Sequence, residues 1–283
     1  MRKIVGILRS AVFSPNSDDY TIMKKVKAAL EKQENEVVLF PEDNIRQLGS
    51  GVADVLFSMA RSKAALHYLE AEERRGRLVI NSPGGVRRCE RSLLTRLMME
   101  LEIPCADSEV MDLRLRDVKT AWKEFPAWLK RGDTCAQQRE DVCFVTDRAS
   151  LFSAIEAFRQ RNITSAVISG HLTGDIVKFY GVEGTSFFKW LYPTLEHRYS
   201  KFGFEEINGP ARRFPFNVAA LKQISDRIAH HISVPVYGGD AVVDEKGRFR
   251  IIDFNDWPSF SSCTDHAARA ISDYIVNRIA ENG

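Results

Sequence analysis

Asp253 and Asn255 stand two residues apart in RFRIIDFNDWPSF, residues 248–260, where a run of strand formers ends in acids and an amide. A buried strand avoids ionised carboxylates, because desolvating one is costly unless water, an arginine or a metal compensates. Residues two apart on a strand point the same way. If Lys246-Gly247 forms a two-residue turn, Asp240 falls opposite Asp253, at the ~4.5–5.5 Å Cβ spacing of cross-strand neighbours. Two carboxylates that close repel, and one stays protonated unless a cation intervenes. Asp240, Asp253 and Asn255 would then offer all-oxygen ligation. That suits Mg²⁺, which commonly uses one or two carboxylates plus substrate phosphates. The plain alternative is an acidic strand end facing solvent.

A second group of residues is cationic. The first hundred residues alternate short apolar runs (KIVGIL, EVVLF, ADVLFSM, RLVIN) with helical stretches. This alternation predicts an open, mostly parallel α/β sheet, whose ligands sit outside the carboxyl ends of the strands. Three such ends carry cations: Arg9-Ser10, Arg61-Ser62, and Arg87-Arg88 beyond Pro83-Gly84-Gly85. Parallel strands would bring them to one edge as a pocket for a carboxylate or phosphate, helped by N–H groups of the helix after Gly85. Taken singly, each arginine reads as a helix-start or surface residue. A nicotinamide-binding site is disfavoured, because IVGILRSAVFSP lacks G-x-G-x-x-G.

Residues 104–165 read as two strands around a polar turn, then an amphipathic helix with Asp147 as N-cap. Lys130 closes the apolar AWL. It is either a lid lysine over phosphates or the solvated lysine of an ordinary hairpin. Farther on, Lys178 shares a strand face with Ile176 and Tyr180. Arg212 and Arg213 lie in the loop GPARRFPFN just upstream of the acidic hairpin.

The bulk properties fit a globular enzyme of two or three lobes. The chain has 283 residues, with 40 basic and 38 acidic side chains and a net charge of +2. Such balance argues against wholesale nucleic-acid binding. No apolar run approaches the roughly 20 residues of a membrane helix, and MRKIVGILRS reads as a first strand rather than a leader. Five cysteines without a CxxC pair indicate reduced thiols in a cytoplasmic protein.

The segment GGDAVVDEKGRFRIIDFNDWPSF resembles the metal-binding hairpin of the ATP-grasp superfamily. INSPGGVRRCERSLLTRLMMELEIPCADS, WLKRGDTCAQQREDVCFV and VISGHLTGDIVKFYGV are similar to other parts of that fold. The resemblance implies three parts: an N-terminal open parallel α/β substrate-binding domain (1–103), a small lid (104–165), and a C-terminal antiparallel-sheet domain for metal and nucleotide (166–283). It implies that Asp240, Asp253 and Asn255 hold Mg²⁺ or Mn²⁺, and that Lys130 approaches the phosphates of ATP from the lid. Ile168, Ser169, Gly170 and His171 would form an adenine hinge, read through backbone groups, and Lys178 would face the phosphates or substrate. The chain departs from the family where Ser169 and Gly170 replace an acid or Gln, and where Asp253 replaces a Glu. Its WPSF ending is closer to inositol-phosphate kinases than to ligases.

The implied chemistry is Mg-dependent phosphoryl transfer from ATP. Arg212 or Arg213 would contact the γ-phosphate or the acceptor, or both would form a solvated loop pair. Arg9, Ser10, Arg61, Arg87 and Arg88 would hold an anionic small-molecule substrate. A carboxylate–amine ligase working through an acyl phosphate is the first expectation. A kinase acting on an anionic polyol is the second, and a non-catalytic nucleotide-binding protein the third.

Overall fold

The computed structural model describes residues 2–13, 18–115, 118–134, 136–193 and 207–281. Residues 3–100 build the expected parallel layer. Strands β1 (Lys3–Leu8), β2 (Glu36–Pro41), β3 (Val55–Ser58) and β4 (Leu78–Ile80) lie in the order β2-β1-β3-β4, all parallel. Four helices accompany them: α1 (Asp18–Glu31), α2 (Lys63–Arg74), α3 (Pro83–Arg88) and α4 (Arg91–Glu100). Ser62 caps α2 by accepting from the Ala65 N–H.

The middle sheet is antiparallel, with order β5-β8-β6-β7. Its strands are β5 (Ser108–Asp112), β6 (Ala127–Arg131), β7 (Val142–Val145) and β8 (Ser165–Gly170). This sheet therefore continues past the 165/166 boundary drawn from the sequence, because β8 pairs with both β5 and β6. Helix α5 (Arg148–Gln160) covers one face, with Asp147 accepting from the Ser150 N–H as its N-cap. Leu129, Val145, Leu151, Ile155, Phe158 and Ile168 give this unit its own apolar core.

The last sheet is β10-β9-β11-β12, also antiparallel. It consists of β9 (Asp175–Val182), β10 (Phe188–Leu191), β11 (Val236–Val243) and β12 (Phe249–Asp256). One face packs Phe179, Tyr237 and Phe254 against α6 (Val218–Ile232) and α4. Tyr180, Val182, Val236 and Trp257 belong to a second core with Ile4, Phe57, α1 and α7 (Thr264–Glu281). The N-terminal and C-terminal units thus share a core, whereas the lid has a separate one.

The β11–β12 hairpin departs from the expected turn. Its loop is Glu245–Gly247: Asp244 N–H donates to Arg248 O at 3.0 Å, and Gly247 takes φ +74°. This places Val243 opposite Phe249, one residue off the expected register. A bulge at Ile252 then shifts the pairing back, so Asp240 still opposes Asp253. The bulge also explains how Ile251 enters the core while Asp253, two residues later, sits opposite Asp240.

Among the described residues no helix is long and apolar enough to cross a membrane. Cys89, Cys105, Cys143 and Cys263 are free thiols, and Cys135 lies outside the described residues.

Candidate active site

Asp240, Asp253 and Asn255 come together on β11 and β12. Asn255 pairs with Gly238, one strand position beyond the Asp240–Asp253 pair on the same face, and its Nδ2 donates to Asp253 Oδ2 at 3.0 Å. That bond leaves the amide oxygen uncommitted. Lys178, opposite Asp240 on β9, forms an ion pair with it at 3.1 Å. From the lid, Lys130 reaches across and donates to the carbonyl of the bulged Ile252 at 3.4 Å. Arg91, at the start of α4, lies 3.7 Å from Asp253 and donates through Nε to Arg131 O in the lid at 3.1 Å.

Three cations therefore surround two carboxylates. Repulsion between the acids is relieved by the chain itself. Burial would raise the Asp253 pKa, but Arg91, Lys130, the Asn255 amide and Lys178 together hold it below the usual carboxylate value. Burial would lower the Lys178 pKa, but Asp240 outweighs it and the ammonium is held above the ordinary lysine value. Lys130 is different. Burial and the Arg91 charge bring it down to about 8, and Asp253 and Asp240 offset them only in part.

The donor set fits a hard divalent ion with one reservation of number. Among the described residues no group of three or more His, Cys, Asp or Glu gathers at one point. Two carboxylates and an amide oxygen make an incomplete shell, which suits Mg²⁺ when phosphates supply further oxygens.

The lid face that carries Lys130 also carries Trp128, which pairs with Phe144 and Ser169 on the neighbouring strands. Trp128 Nε1 donates to His171 Nδ1 at 3.2 Å, and Phe144 meets the imidazole edge-on. The expected hinge is altered in detail. Ile168 lies in a central strand with its side chain in the lid core, and the N–H groups of Gly170 and His171 already donate to Asp107 O and Pro126 O. What this stretch offers a base is the Ser169 hydroxyl and the His171 ring.

The arginines expected to form an anion pocket are engaged by the chain itself. Arg9 and Arg61 do converge, but on buried Asp256, at 3.6 and 2.6 Å. Arg9 is further engaged by Asp19, Met59 O and Trp257 O. Glu42 takes the N–H groups of Ser10, Arg61 and Ser62. The carboxyl edge of the parallel sheet is thus filled by the protein's own acids. Arg87 pairs with Glu70 and Arg88 donates to His231 O, both on the surface and away from that junction. The turn after β4 faces protein as well: a Cβ on Gly85 would collide with Ile232 O.

Arg212 and Arg213 are exposed. Their loop is pinned by Asp175, whose carboxylate accepts the N–H groups of Arg212 and Phe214, and the Arg212 guanidinium lies over the Phe214 ring. Neither forms an ion pair with the opposed carboxylates. Arg91, which does approach them, was not singled out from the sequence; in ERSLLTR it has the look of any helix-start arginine.

These three layers, with a cleft between two antiparallel sheets, match known structures along the whole chain. The chain has the ATP-grasp fold. D-alanine–D-alanine ligase from Bacillus anthracis complexed with ATP superimposes with a TM-score of 0.72 at 14% identity, covering 100% of this chain and 99% of the ligase. An ATP-grasp RimK domain protein from Sphaerobacter thermophilus gives 0.65 at 14% identity, over 96% and 99% of the two chains. The ATP-grasp ligase PsnB complexed with minimal precursor gives 0.62 at 14%, over 97% and 98%. A scan against family models and a search of curated proteins each found no match. At this identity the ATP-grasp likeness is one of architecture.

Proposed function

We propose that the protein is an ATP-dependent ligase that joins a carboxylate to an amine or similar nucleophile through an acyl phosphate. The observation that carries this reading is the opposed pair Asp240–Asp253, with Asn255 beside it and Lys130, Lys178 and Arg91 around it. Such an arrangement suits a nucleotide triphosphate better than any neutral ligand.

Asp240, Asp253 and Asn255 would hold Mg²⁺ or Mn²⁺, which would supply Lewis-acid stabilisation of phosphate charge there. Lys130, Lys178 and Arg91 would neutralise the charge that grows as the γ-phosphoryl group moves. A substrate carboxylate oxygen forms the new bond to phosphorus while the bond to the ADP oxygen breaks. The acceptor amine then attacks the acyl carbon, phosphate leaves, and the amine gives up a proton. The lid face with Trp128 and Lys130 would keep water from the acyl phosphate.

Two of the structural neighbours are named ligases, which favours this reading. A kinase acting on an anionic polyol is the second reading, supported by DFNDWPSF. The anion pocket that either acceptor would use is weakened, because Asp256, Asp19 and Glu42 already engage its groups. ADP release should be screened with carboxylates and polyol phosphates, with hydroxylamine present. A hydroxamate marks the ligase. A stable phosphorylated product without hydroxamate replaces it with the kinase. Mg-ATP binding without turnover on any acceptor would leave only the non-catalytic role.

A further inference from the structure

A concavity of about 680 Å³ lies on the N-terminal unit, between the turn at residues 42–47 and α2. That volume falls within the roughly 300–1,000 Å³ of small-molecule sites. None of its lining residues belongs to the cleft around Asp253.

Its floor is apolar at Ile45, Leu48 and Tyr68, and exposed Ala64 adds to the apolar lining. Ile45 is buried in the core layer of Ile7, Leu56 and Leu69, and Leu48 and Tyr68 pack against that layer. The Tyr68 hydroxyl donates to Gly49 O at 2.9 Å, which fixes one wall. The floor is therefore set by the fold and not by loose side chains.

Its rim is basic: Arg46, Lys63, His67 and Arg75, with no Asp or Glu in the lining. Arg75 is held by buried Glu72 at 2.7 Å. Arg46 and Lys63 form no ion pair among the described residues. Lys63 is also the first residue of α2, where the helix N-terminus adds partial positive charge. The like charges of Arg46 and Lys63 repel one another, and an apolar floor left wet is unfavourable. One kind of ligand relieves both: an apolar body ending in an anion.

We propose that this concavity is a second ligand site, for a small amphipathic anion with an apolar chain or ring and a terminal carboxylate or phosphate. The chain would lie on Ile45, Leu48 and Ala64, and the anionic end between Arg46 and Lys63. Octanoate, octyl phosphate and octylamine, titrated into the full chain at fixed ionic strength and followed by ¹H–¹⁵N spectra, test this. Saturable binding of either octyl anion, with shifts at residues 45–48 and 63–68 and none from octylamine, is the expected result. Arg46→Glu with Lys63→Glu should weaken that binding about tenfold or more while affinity for an ATP analogue stays as in wild type. Absence of saturation, equal binding of octylamine, shifts centred elsewhere, or full affinity in the double variant would each overturn the proposal. Ala64→Trp, which fills the floor without touching charge, should also abolish binding; retained binding there counts against the site.

Discussion

Asp240 and Asp253 face each other across β11 and β12 although both the turn and the ladder between them are irregular. The one-residue offset of the turn and the extra residue at Ile252 cancel. The bulge has a second effect, since the Ile252 carbonyl is the acceptor that Lys130 reaches from the lid. One backbone irregularity thus serves both the acidic pair and the contact that bridges the cleft.

Asp253→Asn keeps the shape but removes the charge that Arg91, Lys130 and a divalent ion would share. We expect Mg-ATP turnover to fall by roughly 100-fold or more, with circular dichroism and Tm close to wild type. Wild-type rates in this variant would take Asp253 out of the site.

Lys130 should make nucleotide binding depend on pH. In the free protein it loses its proton at about pH 8, and a triphosphate favours the charged form. Affinity is then full below that pH and falls as pH rises past it, by up to about tenfold per unit. The same burial penalises the folded state while Lys130 is charged, so that penalty lifts between about 8 and the ordinary lysine value. Lys130→Ala should weaken binding of a non-hydrolysable analogue. Lys130→Arg should flatten the pH slope, and an unchanged slope would move the proton uptake to another group.

Ser169 should select the base. Ser108 donates its proton to Ala106 O at 2.8 Å, so at the 2.9 Å contact with Ser169 it acts as acceptor. Ser169 then offers only lone pairs outward, which suits the exocyclic amine of adenine and not the oxygen of guanine. Ser169→Ala should bring the ATP-to-GTP affinity ratio several-fold nearer to one. A ratio equal to that of wild type would show that the base is read elsewhere.

Asp256 should matter to stability before it matters to chemistry. Its removal leaves Arg9 and Arg61, with side chains only 7% and 17% exposed, without their shared partner. Asp256→Ala is expected to cost about 3–5 kcal/mol in urea unfolding. A loss below about 1 kcal/mol would mean that the two guanidinium groups find other partners.

The hairpin itself was legible from two strand-forming runs around a local turn, but the opposition of Asp240 and Asp253 follows from a turn offset and a bulge that cancel, neither of which the residues announce. The parallel sheet was legible from the local alternation of strand and helix. The fate of Arg9 and Arg61 was not, because Asp256 lies 247 and 195 residues away along the chain. Arg9 and Arg61 lie together at the strand ends, and the acids beside them come from α1, the turn at residues 42–47 and the last strand. Arg91 was hidden for a related reason: its role depends on α4 docking beside the lid, where Ser92 N–H donates to Gly132 O. That β8 pairs with β5 and β6 is not legible in its own residues, since the edge with which a strand pairs leaves no mark on them.

Trp128 and Trp257 are placed to report different things. Trp257 is fully buried and stacks on Phe57 with ring centroids 5.8 Å apart, where the two outer units meet. Trp128 stands on the cleft side of the lid, bonded to His171. A base arriving there would alter the Trp128 indole and spare that of Trp257, so two of the chain's four tryptophans stand in opposite relations to an occupant.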